Sequence, residues 1–278
     1  MPRVWLITGC SRGLGRALAE AVLADGDQLV ATARNPTQLD ALTEQYGDQV
    51  QAVALDVTDP AAARAAVDTA VDGFGRLDIL VNNAGYADVA AIEDISEDDF
   101  RAQIDANFYG VVNLSRAVLP TMRAQGRGHI VQISSVGSRV ASTGLGAYQS
   151  AKWAVSGFSA VLAREVETFG IRITSVEPGG LRTDWAGSSM SAPPISEPYR
   201  PVIDPAVQRL RQGSGKQPGD PVRAAQAIIR ITQVDDPPLR LLLGADAVAA
   251  ASAAAEALAA SDARWRELSE SIAYDTAT

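Results

Sequence analysis

Apolar, β-prone runs alternate with helical patterns along most of the chain, and that alternation is the strongest constraint on its fold. Val4–Thr8 reads as a strand, glycines 9, 13 and 15 follow it, and the helical stretch Arg16–Ala24 closes at Gly26. Leu29–Ala33 is a second strand; Thr37–Tyr46 carries Leu39 and Leu42 at helical spacing before Gly47 ends it. Val50–Leu55, the alanine-rich helix Pro60–Phe74 and the strand Leu77–Asn82 continue the series. Ser96 is a candidate N-cap, and a long helical pattern runs from about Ile104 to Arg123. Strand His129–Ser134, helix Ala147–Phe169 and strand Arg172–Glu177 follow, and later helix Pro221–Thr232 and strand Leu239–Leu243. Strands and helices in this order predict an α/β, doubly wound fold, a mainly parallel sheet covered on both faces by right-handed crossovers.

A chain of 278 residues with this pattern is expected to form one domain over 1–278. Between residues 180 and 221 Gly, Pro and Ser crowd together, which predicts a mobile excursion, a variable lid. Ala245–Ala260 is mostly alanine but holds Asp246, Ser252 and Glu256, so a soluble helix is expected in an extension over about 245–278. The net charge of -9 opposes generic attraction to nucleic acid or an anionic membrane, and neither partner is expected. Cys10, the only cysteine, cannot form an intrachain disulfide, which agrees with a cytoplasmic location. With one histidine, His129, and one cysteine, no metal site is expected.

The loop Thr8-Gly9-Cys10-Ser11-Arg12-Gly13-Leu14-Gly15 lies between the first strand and the first helix. Glycines there let the backbone turn sharply and approach a pyrophosphate, whose charge the helix N-terminus favours. At the end of the second strand an acid would bind the adenosine ribose of NAD(H) and repel a 2'-phosphate; this chain has Ala33 and then Arg34. Arg34 and Arg12 suit a phosphate clamp, so NADP(H) is expected in preference to NAD(H). Asp56 and Val57 close the third strand, where they either meet an adenine ring or form a simple turn. Asn82-Asn83-Ala84-Gly85 ends the fourth strand, at the edge where such sheets bind ligands.

Tyr148 and Lys152, four residues apart on a predicted helix, share one face. Lysine occurs elsewhere only at position 216, while the other 22 of 24 basic residues are arginine, so Lys152 is not an average surface cation. A tyrosine titrates near pH 10, leaving on the order of one phenolate per thousand at pH 7. The lysine ammonium and an oxidised nicotinamide are expected to bring that pKa down toward working pH. A serine just past the fifth strand, Ser134 or Ser135, can hold a substrate oxygen beside the phenol. Asn107 is placed to hold a water that relays a proton to Lys152. Trp185, Met190, Tyr199 and Tyr86 are candidates for lining a pocket that takes a lipophilic ketone or alcohol.

On these residues the chain resembles the short-chain dehydrogenases/reductases, over roughly residues 3 to 245. The resemblance implies a Rossmann-like sheet of seven strands ordered 3-2-1-4-5-6-7, a glycine loop that binds pyrophosphate through Gly9, Gly13 and Gly15, and a catalytic tetrad of Asn107, Ser135, Tyr148 and Lys152. It resolves Ser135 over Ser134. It further implies that Pro178, Gly179 and Thr183 meet the nicotinamide, that the hydride transferred is pro-S, and that the chain forms a homodimer or homotetramer. The expected cofactor contacts are then Gly9, Ser11, Arg12, Gly13, Leu14, Gly15, Arg34, Asp56, Val57, Asn83, Ala84, Gly85, Tyr148, Lys152, Pro178, Gly179 and Thr183. The expected activity is NADP(H)-dependent hydride transfer to a ketone or aldehyde, or from a secondary alcohol. The alternatives are an NADP(H)-binding sensor without turnover and a related epimerase.

Overall fold

The computed structural model describes residues 2–187 and 190–274; Met1, residues 188–189 of the expected lid and residues 275–278 of the expected extension lie outside it. Seven strands form one parallel sheet: β1 (Val4–Ile7), β2 (Gln28–Ala33), β3 (Val50–Ala54), β4 (Ile79–Asn82), β5 (Gly128–Ile133), β6 (Ile171–Pro178) and β7 (Arg240–Leu243). Their spatial order is 3-2-1-4-5-6-7, as the family resemblance implied. The helices are α1 (Gly13–Ala24), α2 (Asp40–Tyr46), α3 (Pro60–Phe74), α4 (Glu97–Ile104), α5 (Gly110–Gln125), α6 (Gly146–Val166), α7 (Arg200–Gly213), α8 (Pro221–Ile231) and α9 (Ala245–Glu270).

Period-2 alternation in β1 divides the core between the two faces of the sheet. Trp5 and Ile7 pack with Leu18, Leu23, Ala225 and Ile228, residues of α1 and α8. Val4 and Leu6 turn the other way, toward Val67, Leu114, Val118 and Leu162 of α3, α5 and α6. Both faces of each central strand are therefore buried, which is why these strands read as continuous apolar runs. In register, Ile7 lies opposite Ala31 on one side and Val81 on the other. The carboxyl ends of β1 and β4 thus emerge side by side where the strand order reverses, the crevice in which open α/β sheets bind ligands.

The structure departs from the sequence reading in five places. Helix α1 starts at Gly13, three residues earlier than expected, because the second half of the glycine loop is already its first turn. The pattern from Ile104 to Arg123 is not one regular helix: α4, capped by the Ser96 side chain on Asp99 N–H, joins α5 through a π turn over Asp105–Tyr109. The stretch Thr37–Tyr46 opens with a 3₁₀ turn, Pro36–Leu39, before α2. The excursion from 180 to 221 contains α7, hidden in the sequence by Pro201 and Pro205. Pro201 sits in the first turn, where a missing N–H costs nothing, and Pro205 only one turn later. Finally, Ala87–Asp88 pairs in parallel with Met190–Ser191, so that excursion is pinned to the segment after β4.

Candidate active site

The glycine loop is built from backbone contacts that admit no side chain. Gly9 has φ 73°, and a Cβ on Gly15 would lie 2.2 Å from the Gly9 carbonyl oxygen and 2.4 Å from Asn83 Nδ2. Thr8 Oγ1 accepts from the Asn83 and Ala84 amides, 2.9 Å each, and Asn83 Nδ2 donates to the Thr8 and Gly9 carbonyls at 2.8 and 3.2 Å. These bonds lock the end of β4 to the loop. No side chain caps α1, whose N-cap position is Arg12, and its first turn holds no acid. Its leading N–H groups are therefore set for an external anion, the requirement of a pyrophosphate. Ser11 is half-buried beside them, whereas Leu14 is buried in the core, so its backbone alone faces the loop.

Arg12 and Arg34 are both exposed at this rim. Asp56 is exposed too, and its Oδ1 accepts from the Thr58 amide and hydroxyl at 2.9 and 2.7 Å. Those two bonds, with a smaller contribution from Arg34, hold its carboxyl below the usual range. Asp56 thus does form the simple turn considered from sequence. Val57 presses on the start of α5, where a Cβ on Gly110 would come within 2.6 Å of it.

Across the crevice, α6 carries Tyr148 and Lys152 on its buried face. Lys152 Nζ donates to the Ile133 carbonyl at the end of β5, at 2.9 Å, and lies 5.6 Å from the centre of the Tyr148 ring. Burial pushes the Lys152 ammonium down to about 8. Burial likewise pushes the Tyr148 phenol up to about 12, opposed by a side-chain hydrogen bond with Ser135. Within the protein alone, exclusion of water penalises the phenolate more than the Ser135 hydrogen bond relieves it. The serines divide as alternation requires, with Ser135 beside Tyr148 and Ser134 Oγ turned to the Lys152 carbonyl at 3.4 Å.

Asn107 sits in the π turn, fully buried. Its Nδ2 donates to the Tyr86 and Gln103 carbonyls, both at 2.9 Å, while its Oδ1 has no hydrogen-bond partner among the described residues. A Cβ on Gly85 would lie 2.5 Å from that oxygen and 3.7 Å from Lys152 Nζ, so Gly85, Asn107 and Lys152 meet at one point. A buried acceptor left open beside an ammonium fits a bound water or hydroxyl. Pro178 ends β6, the Gly179 amide donates to Leu243 at 2.9 Å, and Thr183 faces the glycine loop, 3.6 Å from where a Cβ on Gly13 would stand. The Trp185 ring lies 5.5 Å from that of Tyr148, and Met190, Ile203 and Val207 complete an apolar cover over it. Beside this cover a cavity of about 670 Å³ opens, lined by Ile92, Ser142, Gln149, Trp153 and Val202 among others. Tyr199 lines it as well, with its hydroxyl donating to Glu93 at 2.7 Å.

The family model for short chain dehydrogenase matches residues 3–193. The chain belongs to that family. Oxidoreductase BOA17 of Botryotinia fuckeliana is 54% identical over 97% of this chain and 98% of its own length. The 3-ketodihydrosphingosine reductase of Bacteroides thetaiotaomicron is 33% identical, covering 87% of this chain and 88% of that protein. A crystal structure of a short-chain dehydrogenase from Streptomyces avermitilis superposes with a TM-score of 0.92 at 38% identity, over 99% of this chain and 100% of that one. The chain is therefore an oxidoreductase of the short-chain dehydrogenase family, whose members use nicotinamide cofactors and act on small molecules.

Several groups that shape the dehydrogenase site were not singled out from sequence. Asn82 was read only as part of a strand-end motif, yet its Nδ2 donates to Gln132 Oε1 at 2.8 Å, and Gln132 Nε2 donates to Ser115 Oγ at 3.0 Å. This buried amide and hydroxyl network ties β4, β5 and α5 beneath the site. Gln103, fully buried, accepts from the Asp88 amide and so joins the Asn107 turn to the paired segments Ala87–Asp88 and Met190–Ser191. A polar residue inside an apolar strand run was the available signal for Asn82 and Gln132; nothing local marks Gln103. His129 is a core group whose Nε2 meets Thr174 Oγ1 at 2.9 Å, and burial pushes its pKa down to about 4.

Proposed function

We propose that this chain is an NADP(H)-dependent oxidoreductase that moves a hydride between nicotinamide and a ketone, aldehyde or secondary alcohol, with Tyr148 as the general acid/base. The observation that carries the reading is the convergence of Tyr148, Ser135, Lys152 and Asn107 at strand carboxyl ends, across one crevice from an uncapped glycine loop. NADP(H) is favoured because Arg34 follows β2, where an NAD-selective site would carry an acid, and Arg12 adds a second guanidinium in the glycine loop.

The amides at the start of α1 and the glycine loop would hold the pyrophosphate, Arg12 and Arg34 the 2'-phosphate, Lys152 a ribose hydroxyl, and the Pro178–Thr183 segment the carboxamide. Bound there, the cofactor supplies the hydride donor or acceptor and, when oxidised, a positive charge. In reduction Ser135 Oγ donates a hydrogen bond to the substrate oxygen, and Tyr148 gives its proton to that oxygen as charge develops. Burial favours the protonated phenol, the form that this donor role needs. In oxidation it must first release its proton, at about 1.4 kcal/mol for each pKa unit above ambient pH. Asn107 Oδ1 accepts from a water that reaches Lys152 Nζ, giving the proton a route of resupply.

The apolar cover of Trp185, Met190 and Ile203 supports a lipophilic substrate and a lid role for residues 180–221 on the single domain. The keto-lipid reductase among the relatives points the same way. A sensor would need only the loop, so the conjunction of all four site residues favours turnover. The test follows NADPH absorbance against a panel of ketones and aldehydes. Tyr148→Phe is expected to lower kcat by about 10²–10⁴-fold on any substrate found; turnover near that of the wild type would overturn the assignment.

A further inference from the structure

Glu177, one residue before Pro178, is fully excluded from solvent. A buried carboxylate is tolerated only when paired, and both of its oxygens are. Oε2 accepts from Arg139 Nε and Oε1 from Arg240 Nε, each at 2.5 Å. The two arginines come from different directions. Arg139 immediately follows the 3₁₀ turn Val136–Ser138, which Ser135 opens, and Arg240 is the first residue of β7. Arg240 Nη2 also donates to Ser138 Oγ at 3.2 Å, and that hydroxyl donates to the Ser135 carbonyl at 2.8 Å.

Two routes therefore run from Glu177 to the Ser135 turn, one through Arg139 and the backbone, the other through Arg240 and Ser138. On its other side Glu177 is bonded directly to the Pro178–Gly180 segment. That segment is held in turn by Gly179 N–H on Leu243 O and Gly180 N–H on Asp246 Oδ2, at 2.9 and 2.7 Å. Apolar residues of similar volume often stabilise a fold as well as a buried ion pair does, but they lack its directionality. A carboxylate that engages two guanidiniums through directional bonds fixes distance and angle between the parts it joins.

We propose that Glu177, acting through Arg139 and Arg240, is a positioning residue that sets the Ser135 hydroxyl relative to the Pro178–Gly180 segment. It thereby sets the substrate oxygen relative to the nicotinamide. The proposal rests on the reading of Ser135 and Tyr148 above. Small misplacements of reacting groups reduce turnover far more than they reduce binding, with losses near 10²-fold for about 1 Å.

The experiment compares wild type, Glu177→Gln, Arg240→Met and Arg240→Lys with NADPH and a ketone that the wild type reduces. Glu177→Gln and Arg240→Met are expected to lower kcat by about 10–100-fold, while KM for the ketone and Kd for NADPH change by less than about threefold. Arg240→Lys, which keeps the charge but not the fork that reaches both Glu177 and Ser138, should recover only part of the loss. Arg240 is partly exposed, so Arg240→Met carries the test if Glu177→Gln fails to fold. A native kcat in a variant with native circular dichroism, or a loss confined to KM, would overturn the proposal. Tyr148→Phe is run alongside: if it keeps its turnover, the site reading fails and this inference with it. If it loses turnover while the Glu177 and Arg240 variants keep theirs, only the positioning role falls.

Discussion

The glycine loop and the excursion over residues 180–221 are tied to the rest of the fold by different side-chain chemistry. On the loop side the contacts are backbone to backbone or to short buried side chains: Thr8 Oγ1 with two amides, Asn83 Nδ2 with two carbonyls, Gly15 against Gly9. Over residues 190–199 the backbone pairing of Ala87–Asp88 with Met190–Ser191 is joined by side-chain links to carboxylates of residues 88–94. Ser191 Oγ donates to Asp88 at 2.5 Å, Ser196 N–H to Asp94 at 3.0 Å, and Tyr199 OH to Glu93 at 2.7 Å, all exposed. Exposed links exchange with water at little cost, whereas buried backbone geometry has no substitute partner. The side-chain bonds of the glycine loop are therefore the harder to replace, and those over residues 190–199 the easier.

The contrast is broken most severely at Gly15. Gly15→Ala would drive a methyl group to 2.2 Å from the Gly9 carbonyl, and NADPH affinity measured by fluorescence titration is expected to fall by more than about 100-fold, or the fold to fail. Arg34→Asp leaves the glycine loop intact and changes only what it selects. NADPH should bind about 10–100-fold more weakly, the loss of one charge-assisted phosphate contact, with NADH gaining relative to it. Unchanged relative affinities would remove Arg34 from cofactor choice.

A smaller effect comes from pH. Lys152, pushed down to about 8, is mainly charged at pH 7 and loses its proton as pH rises. NADPH-linked reduction should therefore decline through pH 8 to 9.5, even though the Tyr148 phenol is still protonated there; a flat profile would show that the charge of Lys152 does not matter to the step. The smallest effect is expected on the lid. Tyr199→Phe deletes one exposed hydrogen bond and should move KM by less than about threefold with kcat nearly unchanged. A large change in kcat would mean that the lid is as constrained as the loop.

Much of this architecture was legible before the structure. Strands buried on both faces appear as unbroken apolar runs, and glycines mark their ends, so the strands were legible in the pattern, while their spatial order came from the family resemblance. Helix α7 was not legible, because Pro201 and Pro205 both signal breaks; Pro201 stands in the first turn, where it is harmless, but the helix runs on past Pro205 in its interior. The π turn left no periodic signature either, since one widened turn does not interrupt a helical pattern. In the candidate site, Gly9, Gly13, Gly15, Tyr148 and Lys152 stood out because their spacing is local. Choosing Ser135 over Ser134 needed the family resemblance, and the orientation of the two side chains agrees with it.

What the amino-acid order determined by itself is whatever depends on neighbours a few residues apart: strand and helix type, the glycine turn, and a phenol and an ammonium on one helical face. Tertiary structure decided the rest. Glu177 meets partners 38 and 63 residues away, and no local pattern records such a meeting. Tertiary packing also decided the proton affinities of Tyr148 and Lys152, because these depend on how completely water is excluded once distant segments close over them.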